Sequence, residues 1–490
     1  MSLLKELKSL SKHTAIYGLS NVLSKLTGFL LIPFYTHYLS PADYGLLELL
    51  FFSTQFIGIL LGRGLTSSIA RVFAAQKNTE EKKQLISSAI IFWAALASVL
   101  IVIGCFIGKP ISLLIFSHPD HASLIRISLT TVFLGLLIEV TQAYLNAEQR
   151  SLAAVTNSWL RLIFSLALNI YFVAYLKTGV AGILYSGLIS AIFFSLYLSI
   201  WILRQTGIHF NWAMQRDALK FSVPLMLNDL GMFFIHFGDR FFLQKVSSLH
   251  EIGIYSLGYR FGMLSIAFLI QQPFFMIWNV RQYDLIKQPN GAKIYSDIFF
   301  LYALLMSFVW LGLSLFAKAI IGVAADPSYN EAWKFIPIIA MAYVLRGFYD
   351  FYHGIFMIER KTTRIATTTI SGALVCAASY FVLIPFFGTM GAALATLVTF
   401  LFMAVIMLWA CQKERKINYH SFKVVVMLVV VTVLWQIGIY LAPSGMGSTI
   451  AFNFMLLALF GIIAFFCLME KEHRQKLYGL LNQHIFQHSS

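Results

Sequence analysis

Fourteen mostly apolar windows follow one another along the chain, each long enough to cross the ~30 Å hydrocarbon core of a bilayer as a helix of about 20 residues. They fall at residues 12–38, 44–65, 84–108, 122–146, 153–176, 181–203, 218–243, 251–280, 296–321, 332–358, 366–386, 389–411, 422–442 and 449–469. In lipid every backbone polar group must be satisfied within its own segment, and the alternating ten-residue pattern of a membrane barrel is missing. The sequence therefore predicts an all-α polytopic membrane protein with about fourteen transmembrane helices. Composition agrees: 59% of residues are hydrophobic and 12% charged, against about 25% charged in soluble domains.

The net charge of +15 does not signal nucleic acid, because Lys and Arg form short clusters between the apolar runs and no single basic face. With the N-terminus in the cytoplasm, 24 of the 36 basic residues fall on that side and six (Lys109, Arg126, Lys177, Lys245, Lys318 and Lys334) on the other. An even number of spans with both termini inside satisfies this bias. The opening MSLLKELKSLSKH is a basic lead-in with no cleavage site after a short apolar core, so no cleaved signal peptide is expected. Cys105, Cys376, Cys411 and Cys467 lie in apolar stretches without C-x-x-C spacing, which speaks against disulfides and zinc.

An internal repeat recurs at about 210 residues. Asp43, Tyr44 and Gly45 correspond to Glu251, Ile252 and Gly253; Glu148 and Arg150 to Glu359 and Lys361; Gly179 and Gly182 to Gly388 and Gly391. The offset takes in six spans, an even number, so the halves point the same way. The expected organisation is an N-lobe at 1–203, a C-lobe at 204–411, an appended helix pair at 412–469 and a cytoplasmic tail at 470–490, partly disordered from Lys471 onward.

Charges within apolar spans cost about 2.5–3.5 kcal/mol each on insertion scales, which makes them the first candidates for function. The basic set is Lys25, Arg63, Arg161, Arg240, Arg260 and Arg346; the acidic set is Glu48, Glu139, Asp229, Asp239 and Asp350. Their spread over both halves suits a water-filled cavity facing a polar substrate. Simpler readings stand beside that one: Arg63 snorkels to the near interface, Asp239 and Arg240 form a structural pair, and Glu48 and Glu139 bond neighbouring helices. Lys25, Arg161, Arg260 and Arg346 sit deeper, and clustered cations suit a phosphate or pyrophosphate head group. Pro33, Pro224, Gly231 and Pro273 interrupt the helical hydrogen-bond ladder, as hinges or as static kinks. Gly58 with Gly62 and Gly258 with Gly262 have the spacing of close helix packing. No phosphate-binding G-x-x-x-x-G-K-[ST] loop and no H-E-x-x-H motif occurs, and no cofactor is expected.

The stretch Gly18–Leu50, GLSNVLSKLTGFLLIPFYTHYLSPADYGLLELL, and the block Phe221–Phe261, with Asp239, Arg240, Gly253, Tyr255 and Tyr259, resemble the openings of the two lobes of polysaccharide flippases. These belong to the multidrug, oligosaccharidyl-lipid and polysaccharide exporter superfamily, and FYTHYLSPADYG looks like the first loop of the O-antigen and capsule type. The resemblance implies two six-helix lobes around a cationic cavity, a lateral opening between spans one and eight, and rocking between inward-open and outward-open states. It implies no covalent chemistry. The substrate it implies is an undecaprenyl-pyrophosphate-linked oligosaccharide, with membrane lipid and other glycan-assembly proteins as partners. Ion coupling is implied too, by Na+ or H+, with Asp229, Glu48, Glu139 or Asp350 as candidate ligands. A multidrug antiporter of the same superfamily shares the topology but calls for a more acidic cavity than six basic and five acidic residues provide. A glycan polymerase or ligase calls for a large external loop, and the longest, Lys109–His121, is short. A structural scaffold in a glycan assembly complex leaves the costly charges without a purpose.

Overall fold

A computed structural model describes residues 31–62, 65–76 and 78–469. Lys25 and Arg63, the first part of the first window and the tail at 470–490 lie outside the described residues. Residues 31–38 are helical. The chain then forms α1 (Pro41–Gly62), α2 (Leu65–Ala75), α3 (Thr79–Phe116), α4 (Ala122–Ala147), α5 (Ser151–Asn169, continued by a π-helical turn at Ile170–Tyr175), α6 (Gly179–Thr206), α7 (Trp212–Phe237) and the short α8 (Asp239–Leu243). There follow α9 (Leu249–Met263, continued by a π-helical segment at Leu264–Gln271), α10 (Gln272–Leu285), α11 (Gly291–Ala324), a 3-10 helix at Pro327–Lys334, α12 (Ile336–Ile358), α13 (Thr362–Glu414), α14 (Ser421–Tyr440) and α15 (Met446–Ile463). No strand occurs among the described residues.

Ten of these helices are long and apolar enough to cross a membrane, where the windows predict thirteen beyond the first. The difference has physical sources. Windows eleven and twelve are the two helical halves of α13, which is kinked at Gly388, where φ 55 and ψ −130 suit only glycine. Outside the ten are α7 and α12, the helices that carry Asp229 and the pair Arg346 and Asp350.

Contacts divide the chain into two compact units, one of residues up to Leu257 with Ala324–Glu331 and Ala366–Thr399, the other of Gly258–Val323, Ala332–Ile365 and residues from Phe400 on.

The repeat seen in the sequence reappears as duplicated local chemistry. At the start of α1, Ser40 N–H and Oγ–H donate to Asp43 Oδ2 while Asp43 N–H donates back to Ser40 Oγ. At the start of α9, Ser248 and Glu251 make the same three bonds. These are reciprocal capping boxes, each satisfying two backbone donors that a helix start leaves orphaned. The two starts also touch each other. A Cβ on Gly45 would lie 2.0 Å from Leu249 O, and one on Gly253 would lie 1.8 Å from Pro41 O. Only hydrogen at both positions lets the two backbones come so close.

The far ends match as well. Helix α4 closes through Glu148, left-handed Gln149 (φ 57) and Arg150, and α12 closes through Glu359, left-handed Arg360 (φ 57) and Lys361. Arg150 N–H donates to Leu145 O at 2.9 Å and Lys361 N–H to Phe356 O at 2.8 Å. Arg150 then reaches Gln205, and Lys361 reaches Glu414. Gly179 (φ 58) and Gly388 (φ 55) share a second left-handed position. The connector after α6 is held to α3 by Ser87 and Ser88, which bond the backbones of His209 and Asn211; the connector after α13 is held to α11 by Ser296, which donates to Asn418 O.

The predicted helix breaks differ in kind. Backbone helicity continues through Pro224 and Gly231 in α7, and Gly231 packs near Thr369. Pro33 lies exposed within the helical residues 31–38. Pro273 sits in the first turn of α10, directly after the π-helical segment; lacking an N–H, it cannot continue the preceding ladder, and the chain widens instead of fraying. Gly58, Gly258 and Gly262 serve packing: their Cβ positions are met by Val132, by Ala332 O and by Ile339.

Candidate functional site

In the first unit, α5 carries a polar stripe at four-residue spacing, Asn157, Arg161, Ser165 and Asn169, which a helix of 3.6 residues per turn puts on one face. Asn157 and Asn169 each donate their side-chain amide to the carbonyl four residues earlier, at 2.8 Å, an arrangement that leaves the amide oxygens as acceptors. Asn169 Oδ1 accepts from Tyr35 Oη at 3.4 Å.

The first three residues of this stripe form one wall of a cleft of about 340 Å³ lined by Glu139, Gln142, Asn157, Ser158, Arg161 and Ser165, with Ile138, Leu162, Phe194 and Leu198 as its apolar side. Ile138, Phe194 and Leu198 pack on one another as a buried cluster, so that side of the cleft is firm. Glu139 lies close enough to Arg161 for their charges to interact, and both side chains are exposed in the cleft. A guanidinium, a carboxylate, two amides and two hydroxyls thus share one concave surface between membrane-type helices. Arg supplies a planar fork for phosphate, and the amides and hydroxyls can both donate to and accept from sugar hydroxyls.

In the second unit, α12 carries Arg346 and Asp350 one turn apart, with Nε–Oδ2 at 3.6 Å and side chains 26% and 25% exposed. The guanidinium lies 5.7 Å from the Tyr343 ring centroid and 6.0 Å from that of Phe400, a cation–π setting that holds charge while leaving hydrogen-bond capacity. Behind it, Gly347 forms a notch whose Cβ position would be 2.2 Å from Tyr302 Oη and 2.3 Å from Gln271 Nε2. Gln271, the last residue of the π-helical segment, donates to Tyr343 O at 2.6 Å, and the Tyr343 and Tyr259 hydroxyls are 3.1 Å apart. Arg260 is half-buried near the end of α9.

Asp239 and Arg240 differ from these open pairs. Arg240 Nη1 donates to both oxygens of Asp239, at 2.7 and 2.9 Å, and Tyr255 Oη donates to Oδ2. Arg240 is 2% exposed and Asp239 0%. Of the two sequence readings, the sealed structural pair is the one observed, and neither residue presents surface to a ligand. The cause is local: the carboxylate collects a two-bond guanidinium and a phenol at the point where α7 gives way to α8. Glu48 is buried within α1 and Asp229 half-buried within α7. Among the described residues no group of three or more His, Cys, Asp or Glu converges as a metal cage would require. A larger cavity, about 740 Å³, lies between α11 and the α14–α15 hairpin, with Lys318 as the single charged residue among the described residues of its lining.

The described residues form a multi-pass helical fold with repeated helix-end motifs and an arginine-bearing cleft. The chain belongs to the polysaccharide biosynthesis protein family, whose model matches residues 10–272. Its fold is similar to that of the lipid II flippase MurJ in an inward closed conformation, with a TM-score of 0.72 at 14% identity over 92% of this chain and 98% of that one. It is also similar to multidrug resistance MATE family transporters of the MOP superfamily. The inward-facing form gives a TM-score of 0.62 at 17% identity over 80% of this chain and 98% of that one; the outward-facing form gives 0.57 at 17% over 82% and 95%. At such identities the likeness is one of fold. No curated protein sequence matches significantly.

Proposed function

We infer that the protein translocates an undecaprenyl-pyrophosphate-linked oligosaccharide, the repeat unit of an O-antigen, capsule or exopolysaccharide, across the bacterial cytoplasmic membrane by alternating access. Both termini lie in the cytoplasm on this reading, and other glycan-assembly proteins supply and consume the substrate. The observation that carries it is the Arg161 cleft, a cation among amides and hydroxyls with Ile138, Leu162, Phe194 and Leu198 as its apolar side. A diphosphate head group is matched by the arginine fork, and sugar hydroxyls by Gln142, Asn157, Ser158 and Ser165. The polyprenyl chain stays in lipid, so neither charge nor sugar crosses bare hydrocarbon. The step breaks and forms no covalent bond. An ion gradient, of Na+ or H+, drives it, with Asp229, Glu48, Glu139 or Asp350 as the ion's ligand.

The test is complementation of a strain lacking the protein. Arg161→Gln, Arg260→Gln and Arg346→Gln, each at normal membrane abundance, are expected to abolish surface glycan, while lipid-linked glycan accumulates on the cytoplasmic leaflet. Normal export by all three variants would remove the basis of the assignment.

A further inference from the structure

Helices α4 and α12 end in the same turn, so residues 211 apart occupy the same register in them. Glu139 and Asp350 are such a pair, each eight residues ahead of the helix ends at Ala147 and Ile358. The cations beside them have different origins. Arg161 comes from the following helix, whereas Arg346 comes from one turn earlier on α12 itself, where the counterpart in α4 is Gly135. The carboxylate is therefore what the two halves share, and the cation reaches it by two routes.

The pairing on α12 is loose. Arg346 Nε is 3.6 Å from Asp350, too far for a hydrogen bond, and has no hydrogen-bond partner among the described residues. Arg161 and Glu139 are both exposed in their cleft. Asp239 and Arg240 show what a permanent pair looks like in this chain: 2.7 and 2.9 Å, with no solvent access. A cation in an apolar bundle needs a counter-charge at every moment, since leaving one partner alone in such a setting is strongly destabilising. A carboxylate held at arm's length gives that counter-charge when the cleft is empty and yields when a stronger anion arrives.

We propose that Glu139 and Asp350 are internal stand-ins for the substrate's anionic head group, positioning Arg161 and Arg346 in the empty carrier and releasing them to a phosphate or diphosphate on loading. The proposal rests on the head-group reading above. It assigns the two acids a positioning role, with no contact to substrate.

The test uses the full chain in detergent and inorganic pyrophosphate as probe, with affinity read by calorimetry or by ligand-induced thermal stabilisation. Arg161→Gln and Arg346→Gln are expected to weaken binding by at least about tenfold, as loss of a charge-assisted fork requires. Glu139→Gln and Asp350→Asn are expected to tighten it by about two- to fivefold, the span of a partly exposed ion pair's strength. Glu139→Asp is expected to fall between Gln and wild type, and it carries the test if Glu139→Gln does not accumulate. In cells the acid-to-amide variants are expected to export less despite binding more tightly, because the empty carrier must return with an unbalanced cation. Weaker pyrophosphate binding in Glu139→Gln and Asp350→Asn would overturn the stand-in role, and so would unchanged affinity. Wild-type affinity in both arginine variants would overturn the head-group reading itself, and with it the role of the acids.

Discussion

Replacing Gly253 by alanine tests the reciprocal contact that joins the two helix starts. The added Cβ would lie 1.8 Å from Pro41 O, 2.7 Å from Pro41 C and 3.0 Å from Gly45 N. Carbon–oxygen contacts settle near 3.3–3.6 Å, so the helix starts must part by about 1.5 Å. All three atoms are backbone and no rotamer change can relieve them. Overpacking of this kind costs about 1–3 kcal/mol, occasionally more. Gly45→Ala meets Leu249 O at 2.0 Å and is expected to cost a similar amount. Because one separation of the two backbones relieves both clashes, the double variant should lose less than the sum of the singles. Gly461→Ala is the control: none of the described residues lies within 4 Å of its Cβ position in α15, and alanine in a helix interior gains about 0.5–1 kcal/mol. Thermal unfolding of detergent-solubilised protein, followed by size exclusion, should show a clear fall in midpoint for both single variants and none for the control. A Gly253→Ala midpoint equal to wild type, or strict additivity in the double variant, would refute the reciprocal contact.

Further outcomes follow from the same structure. Asp239→Asn leaves the buried Arg240 without its counter-charge and should destabilise the protein by about 3–5 kcal/mol; Tyr255→Phe removes one bond to the carboxylate and should cost about 1–3 kcal/mol, so a reversed order in thermal melts would contradict the sealed pair. Ser165→Leu projects bulk into the Arg161 cleft and should reduce glycan export at unchanged abundance, measured by surface glycan per cell; full export would exclude the cleft from the path. Gln149→Gly and Arg360→Gly relieve left-handed backbone strain of about 1–2 kcal/mol each and should raise the unfolding midpoint. For Lys25, Arg should support more export than Ala if a cation is what matters, and equal export would reject that role.

Much of the architecture was legible because lipid imposes its own grammar. Apolar length placed the helices, and glycines at matching offsets marked the repeat, since Gly179 and Gly388 must both be left-handed and Gly45 and Gly253 must both lack a Cβ. The capping boxes were also visible in principle, as Ser40 with Asp43 and Ser248 with Glu251. The stripe through Asn157, Arg161, Ser165 and Asn169 is written in the sequence by its four-residue spacing, but in amides and a hydroxyl more than in charge. Other features were out of reach. That Arg240 is sealed and Arg346 open depends on Tyr255, Tyr343 and Phe400, which reach their places only through packing. The Gly347 notch depends on Gln271 and Tyr302, residues from two other segments, and one helix's sequence carries no record of what its neighbours press into it.

The most direct measurement is transbilayer movement of a polyprenyl-diphosphate-linked oligosaccharide in vesicles reconstituted with purified protein. Wild type is expected to move the labelled glycan to the opposite leaflet, and Arg161→Gln, equally well inserted, is expected to leave it where it began. Equal rates from both proteins, or no movement above protein-free vesicles with wild type, would contradict the account.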